Sequence, residues 1–384
     1  MLRMEIWDLN LRHLRAITKI AELGTMNAAA QAVNLTQPAI TQALSRIESM
    51  IALPLFERRH DGMVSTAAAD IFVPRAKAAL DHIASPHVTM SRMRALIALA
   101  DTGSYTGASM LTGLSLPSLH RAVSDLALSS RKSLAERRGK IVILTGAGEV
   151  MARSFRLARV ELEAGLSEID ALKGHETRRI AIGAMPLSRA RVMPAAVTKF
   201  LRRNPHVHIS IVEGSRSELV DPLRNGSIDL MIGAVREPLA EPDLHQKVLF
   251  RDRIVAIGRA KHPLSGLSPS AAELATYPWV ISSVGTPLRH LWEQMFVREG
   301  LALPPVPVES GSVMTIRQLL MDSDFLTLLS PDQVLVELEA GWLARIADLP
   351  EDLDRIIGVT TRNSWNPTRV QSEFLADLEA VSVT

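Results

Sequence analysis

The chain has 384 residues and 47% hydrophobic content, enough for two to four domains with substantial cores. It contains no cysteine, which excludes disulfides, thiolate metal sites and a cysteine nucleophile. The net charge of +2 hides a basic first part, with 21 Lys and Arg against 16 Asp and Glu in residues 1–174, and a mildly acidic remainder, 22 against 25; the former agrees with nucleic-acid contact.

The N-terminal stretch MLRMEIWDLNLRHLRAI carries a charge every few residues. It reads as neither a signal peptide nor a membrane span, and no later run reaches about 18 apolar residues. A soluble cytoplasmic protein with no membrane partner is expected. Leu9, Leu11, Leu14, Ile17, Ile20 and Ala21 predict an amphipathic helix ending at Gly24. Thr25–Glu48, TMNAAAQAVNLTQPAITQALSRIE, then reads as two short helices around a tight turn at Asn34-Leu35. Thr36 suits the cap of the second helix, which starts near Pro38. Ile40, Leu44 and Ile47 form its buried stripe. Gln37, Thr41, Gln42, Ser45 and Arg46 project outward, with no carboxylate until Glu48. Such a surface suits phosphates and base edges, since Gln pairs with adenine and Arg with guanine. This is a helix-turn-helix with the second helix as reader. Leu53–Arg59, a turn at His60-Asp61-Gly62 and Met63–Thr66 predict a two-stranded wing edged by Arg58 and Arg59, followed by a helix from Thr66 to about Ala84.

The ungapped order of helix, LGTMNAAAQAVNLTQPAITQALSRIE, LPLFERR, wing and helix, from Leu9 to Leu80, resembles the winged helix-turn-helix of LysR-type transcriptional regulators. The pattern then returns at a constant offset of 79 residues over Met90–Ile143. Arg15-Ala16 becomes Arg94-Ala95, Gly24-Thr25 becomes Gly103-Ser104, Pro38 becomes Pro117 and Glu57-Arg58-Arg59 becomes Glu136-Arg137-Arg138. Two copies of one domain are expected. At outward positions Gln37 becomes Leu116 and Gln42 becomes Arg121, while Arg131, Lys132 and Lys140 keep the second copy basic.

A long helix over Gly148–Leu172 carries Met151, Phe155, Ala158, Leu162, Leu166, Ile169 and Leu172 close to a heptad seam. The resemblance implies that such a helix pairs with a partner chain, and copy two's helix is the better candidate because copy one's is shorter and stopped by Pro86. From Arg178 the pattern changes to α/β. Strands are expected at Arg178–Gly183, Val207–Val212, Ile228–Ala234, Val248–Ile257, Trp279–Ser282, Val306–Val308, Phe325–Leu329 and Ile356–Thr360. Helices are expected at 190–203, 216–225, 287–299, 312–322, 331–340 and 366–381. This layout, with ELVDPLRNGSIDLMIG, resembles the family's effector domain, which implies two α/β lobes of periplasmic-binding-protein-like fold with a ligand between them.

The expected fold is therefore multidomain α+β. Winged domains occupy 1–85 and 86–147, a linker or dimerisation helix 148–175, and an effector domain 176–384, with lobe I at about 176–253 and 349–384 and lobe II at about 254–348. The DNA-contacting residues expected in copy one are Thr36, Gln37, Pro38, Thr41, Gln42, Arg46, Arg58 and Arg59. Those in copy two are Ser118, His120, Arg121, Arg137 and Arg138. The alternative for copy two is a degenerate domain kept for spacing or dimerisation. In the C-terminal half Met185, Ser188, Ser215, Ser282, Ser283 and Thr286 sit where strands give way to helices, where ligands and anions bind. The same hydroxyls also suit plain helix caps, as does Ser312. Arg289 could answer a carboxylate or stand as a surface arginine. By resemblance the effector is a small molecule, often a small carboxylate.

His206 and His208 alternate on a strand, and no histidine pair has zinc-site spacing; no metal, cofactor or catalytic constellation is predicted, and no enzyme. The resemblance implies a regulator that binds double-stranded promoter DNA, responds to an effector, assembles as a dimer or tetramer and meets RNA polymerase. The rivals are a ligand-binding protein whose N-terminal domains serve only assembly, and a DNA-binding regulator without a ligand.

Overall fold

The computed structural model describes residues 5–60, 62–139, 141–174, 178–189, 191–350 and 353–382. Asp61, expected in the first wing turn, and Lys140, counted among the basic residues of copy two, lie outside the described residues. The chain divides into two compact units, Met1–Arg178 and Arg179–Thr384.

Unit 1 opens with a short 3-10 turn, Ile6–Asp8, and then runs through α1 (Leu11–Leu23), α2 (Met26–Ala32), α3 (Gln37–Ile51), the hairpin β1 (Phe56–Arg59) with β2 (Gly62–Ser65), and α4 (Ala67–Ile83). The same order follows in α5 (Met90–Thr102), α6 (Tyr105–Thr112), α7 (Leu116–Ser130), β3 (Ala135–Arg138) with β4 (Ile141–Leu144), and α8 (Gly146–Leu172). The 79-residue offset holds for individual hydrogen bonds. The Met63 N–H donates to the Gly24 carbonyl (2.7 Å) and the Val142 N–H to that of Gly103 (3.1 Å), while Thr66 and Thr145 donate to Leu55 and Leu134. Thr25 and Ser104 cap α2 and α6, and Thr66 and Thr145 cap α4 and α8. Thr36 stands at the N-cap of α3, but its side chain makes no capping hydrogen bond, whereas its counterpart Ser115 accepts one from the Ser118 N–H. Ala21, expected on the buried face of the first helix, is exposed, and Leu9 precedes the helix as part of the core.

The long helix is covered within its own chain. α8 packs along α4, and Phe155, Ala158, Leu162, Leu166 and Ile169 share one buried cluster with Phe72, Ala76, Ala79 and Ile83. That cluster also includes residues of α1, α3 and α5, so both copies hang on one core. The seam expected to await a partner chain is filled by α4 over this stretch; Met151 is half-buried and Leu172 is 49% exposed at its ends. Gly165 permits the close approach, since a Cβ there would stand 3.0 Å from the Arg75 Cβ and 3.1 Å from the Phe72 ring. Between the helices the Arg75 guanidinium meets Glu161 and Glu168, each at 3.0 Å, with the Arg75 side chain only 5% exposed.

Unit 2 begins with β5 (Arg178–Ala184), a 3-10 turn at Pro186–Arg189, α9 (Val192–Arg203), β6 (Val207–Glu213), α10 (Arg216–Arg224), β7 (Leu230–Ala234), β8 (Leu244–Asp252) and β9 (Val255–Arg259). It continues with α11 (Ala271–Leu274), β10 (Val280–Ile281), α12 (Pro287–Val297), β11 (Val308–Glu309), α13 (Val313–Met321), β12 (Thr327–Leu329), a 3-10 turn at Pro331–Val334, α14 (Leu335–Glu339), β13 (Leu343–Asp348), β14 (Arg355–Arg362) and α15 (Arg369–Ser382). One sheet has the order β6-β5-β7-β14-β8, with β5 and β7 parallel and β14 antiparallel to both its neighbours. A second sheet has the order β12-β9-β13, and β10 pairs with β11 in parallel. The returning tail therefore does rejoin the first sheet, and α15 packs on α9 through Phe374 and Phe200, whose rings meet edge to face at 5.7 Å.

Several expectations for unit 2 need correction. The single strand over Val248–Ile257 is two strands, broken at Arg253-Ile254, where the chain passes from the first sheet to the second. The helix over 331–340 is a 3-10 turn followed by the short α14, and the strand β13 was not anticipated. The strands expected from Ile228, Val306 and Phe325 each begin two residues later, at Leu230, Val308 and Thr327.

The Arg75 cluster yields a stability prediction. Removing one member of a buried ion pair leaves an uncompensated charge in the interior, so Arg75→Ala is expected to cost about 3–5 kcal/mol. Denaturant unfolding, followed on the transition belonging to unit 1, checks this; a loss within the scatter of surface mutants would show that the cluster contributes little.

Candidate nucleic-acid interface

In α3 the residues Ile40, Ala43, Leu44 and Ile47 are buried, while Gln37, Pro38, Thr41, Gln42, Ser45 and Arg46 are all exposed on the opposite side, as is Thr36 before them. The Thr41 hydroxyl donates to the Gln37 carbonyl (3.1 Å), which leaves its oxygen able to accept. Glu48 is turned inward. Its Oε1 accepts from the backbone N–H groups of Leu55 (2.7 Å) and Phe56 (3.3 Å), so the carboxylate ties the helix to the wing and stays off the exposed row. Arg58 and Arg59 stand exposed on β1, with Arg59 pairing loosely with Glu57 at 3.3 Å. An exposed pair of that kind is weak and yields readily to a phosphate.

Beneath α3, His13 of α1 lies close to Arg46. Its Nδ1 is buried with no hydrogen-bond partner among the described residues. Burial first, and then the Arg46 charge, hold its pKa below the usual histidine value. His13 was not singled out from the sequence, because only the packing of α1 on α3 brings it to Arg46.

Copy two places Ser118, His120 and Arg121 on the exposed side of α7, and Arg137 and Arg138 on β3. Their surroundings differ from those in copy one. The His120 ring is stacked on Tyr105 of α6, with centroids 3.7 Å apart, so one of its faces is already occupied. The Ser118 hydroxyl is bonded to that of Ser115 (2.8 Å). Arg138 pairs with Glu136 as Arg59 does with Glu57, and Arg137 donates to the Gly139 carbonyl. Ser118 and Arg121 border a cleft of about 820 Å3 that also takes in Arg12 of α1, His87 of the turn before α5 and Arg92 of α5, basic positions that sequence reading missed because they lie on other elements. Met110 (80% exposed), Leu111 (60%) and Leu116 (42%) form an apolar tip around the turn, where copy one has Gln31, Ala32 and Gln37.

In unit 2 the expected ligand residues fall into separate local arrangements. Ser188 is buried and its hydroxyl donates to the Met185 carbonyl (2.9 Å). Ser215 forms a capping box with Glu218, whose pKa is lowered by the Ser215 N–H and hydroxyl. Ser282 and Thr286 join hydroxyls at 2.7 Å, Thr286 and Ser312 cap α12 and α13, and Ser283 is exposed. Arg289 is neither a waiting cation nor a surface arginine. It faces Glu293 (3.0 Å) and Glu309 (3.4 Å) and lies over the Trp292 ring at 4.7 Å. Where the chain leaves and re-enters the first sheet, a buried Arg355 binds Asp252 (2.5 Å) and reaches Gln333 (3.4 Å), a contact that no sequence signal marked. Among the described residues no helix is long and apolar enough to cross a membrane.

Residues 173–381 match the family described as the LysR substrate binding domain. Residues 11–70, and again 90–149, match the bacterial regulatory helix-turn-helix protein of the lysR family. The HTH-type transcriptional regulator GalR of Pseudomonas putida is 29% identical over 367 residues, 92% of each chain. PcaQ of Agrobacterium fabrum is 24% identical over 284 residues, 73% of this chain and 91% of its own. Among solved structures, ArgP of Mycobacterium tuberculosis superposes with a TM-score of 0.62 at 16% identity, covering 76% of this chain and 96% of its own. Full-length LysG of Corynebacterium glutamicum, solved with its effector Arg, gives 0.56 at 16% identity, covering 76% and 97%. At those identities the structures show a shared fold.

The depressed His13 predicts a pH dependence with a defined sign. Between its ordinary pKa of about 6.5 and the lower folded value, the unfolded state binds more protons. Its contribution to stability is therefore complete above about pH 6.5 and is lost as pH falls toward the folded value. Thermal unfolding of unit 1 at about pH 7.5 and about pH 5.5 should show a drop that shrinks in His13→Gln. An equal drop in both proteins would remove His13 from the account.

Proposed function

The chain belongs to the LysR family of bacterial transcriptional regulators, a non-enzymatic family whose members bind DNA, respond to small-molecule effectors and oligomerise; from that premise we propose how the work is divided among its residues. The winged domains are 1–85 and 86–147, followed by the long helix to about residue 175. The effector domain is 176–384, with lobe I at about 176–253 and 349–384 and lobe II at about 254–348.

The α3 row of Gln37, Thr41, Gln42 and Arg46 reads base edges, with Thr36 and Pro38 at the helix start and Arg58 and Arg59 on flanking phosphates. The observation that carries this reading is the exposed row of amides, hydroxyls and a guanidinium, cleared of carboxylate because Glu48 is bonded into the wing. Gln amides can bond adenine through N6 and N7, and Arg can bond guanine through O6 and N7. In copy two, Arg121, Arg137 and Arg138 supply phosphate contacts, with Ser118 and His120 at the helix start.

In the effector domain we assign ligand contact to Ser215, Ser282, Ser283 and Thr286, with Met185 and Ser188 shaping the wall and Arg289 holding α12 in place. LysG carries arginine as its effector, and helix starts that favour anions suit the same group here, so a small carboxylate is the proposed ligand class. Such a ligand alters DNA binding only to the extent that it prefers one state of the protein. Chains assemble further into oligomers, and a regulator bound at a promoter acts there on RNA polymerase.

Selection of genomic fragments at fixed salt, followed by affinity measurements across a salt series, tests the DNA reading. Gln37→Ala and Gln42→Ala should each cost about 1–3 kcal/mol on the preferred site and relax its base preference. Arg58→Ala should weaken all fragments alike and flatten the dependence of log affinity on log salt by about one unit. Unchanged selection in the glutamine variants would refute the assignment of α3.

A further inference from the structure

Unit 1 is built as an internal two-fold. The Arg15 guanidinium donates to the carbonyls of Ser85 (2.6 Å) and Pro86 (3.3 Å), and Arg94 lies over the Trp7 ring at 5.5 Å. Positions 15 and 94 match at the 79-residue offset, and so do 7 and 86, so each copy sets its matched arginine on the matched segment of the other, through carbonyl hydrogen bonds in one case and a ring face in the other. Leu9 and its match Val88 are both buried. So are Ala76, Ala79 and Ile83 of α4 and their matches Phe155, Ala158 and Leu162 of α8. Reciprocal contact of matched residues is the signature of a two-fold interface. Here both sides belong to one chain.

Charge makes the pairing specific to unlike helices. Arg75 is matched by Ser154 on α8, and Glu161 and Glu168 are matched by His82 and Thr89. One helix brings the guanidinium and the other brings both carboxylates. Two α8 helices from two chains, paired in the same geometry, would set Glu161 against Ser154. Two α4 helices would set Arg75 against His82. Only the mixed pair is matched in sign, the means by which an interface favours one partner over a similar one.

The two reading faces differ as well. Gln37 and Gln42 of α3 correspond to Leu116 and Arg121 of α7, and the apolar tip of copy two has no equivalent in copy one. We propose that one chain, rather than a pair of chains, reads both halves of a binding site, that the halves form an inverted repeat of unlike sequence, and that each chain therefore sits on DNA in one direction. The inference rests on the reading of unit 1 as DNA-binding. Because the second head is held at high effective concentration, it needs little affinity of its own.

The cysteine-free sequence makes the test direct. Ser49→Cys in α3 and Leu128→Cys in α7 change matched, exposed residues and give the full-length protein a single attachment point for an iron–EDTA cleavage reagent. The probe is the genomic fragment that the unmodified chain selects. Within each inverted repeat, the Ser49→Cys conjugate should cut one half and the Leu128→Cys conjugate the other, with neither cutting both. Cuts by the Ser49→Cys conjugate in both halves would mean that two chains each present copy one; that overturns the single-chain inference and leaves the DNA-binding reading standing. A chain that selects no fragment at all overturns the DNA-binding reading, and this inference falls with it.

Discussion

The Arg75 guanidinium enclosed between α4 and α8 is the contact on which unit 1 depends. A charge removed from water costs several kcal/mol, and only good geometry with satisfied partners offsets it. Glu161 and Glu168 supply those partners from a single helix face, seven residues apart. Glu168 lies on the part of α8 that has no counterpart in α4, because α4 ends at Ile83 and the chain turns from Ala84 to begin α5. The extra length of α8 thus has a structural task. It carries Glu168 to Arg75, and Lys173 beyond it to the Ile51 carbonyl at the end of α3, 3.3 Å away. Helix length and charge differ between the copies for one reason, since both serve to seat α8 on copy one.

Once the copies are joined in one chain, they need not remain alike. Copy one keeps a row of hydrogen-bonding side chains and a carboxylate, Glu48, that fixes the wing to the helix. Copy two has Ala127 at the matching position and no such tie. Its own cluster is small, built on Ala95, Ala98, Ala108, Leu119 and Ala122, with Tyr105 packed beside it. The Tyr105 ring supports that cluster from one side and stacks on His120 from the other, and burial pushes its hydroxyl pKa up. A ring serving both purposes makes His120 part of the local packing as well as of the exposed face. The two heads are therefore unequal in packing and in surface chemistry, which is what an oriented reader requires.

Much of this was legible because it is local. Caps, turns and the 3.6-residue stripe of α3 are set by residues within a few positions of one another, and the offset of 79 is visible by inspection. The strand and helix order of unit 2 follows from short apolar runs between turn residues, with errors where a run crosses from one sheet to another. Val248–Ile257 is continuous in its pattern, and only the pairing of β8 with β14 and of β9 with β12 and β13 divides it. The pairing of α4 with α8 was not legible, since a heptad seam records that a helix will be covered and not by which helix. The carboxylates around Arg289 were not legible for a related reason: Glu309 reaches it from β11, 20 residues away.

The same economy recurs in unit 2, where Arg355 and Asp252 are both buried and are 103 residues apart in sequence. Asp252 ends β8 just before the chain enters the second sheet, and Arg355 begins β14 just after it returns. Gln333, reached by the same guanidinium, belongs to the 3-10 turn that follows β12 of the second sheet. One side chain therefore holds the outgoing segment, the returning segment and an element of the second sheet. An exposed pair, Arg191 with Asp332 at 2.7 Å, runs from the start of α9 to that same turn. A buried pair resists separation far more than an exposed one, so the link at Arg355 is the firmer of the two and the link at Arg191 the weaker.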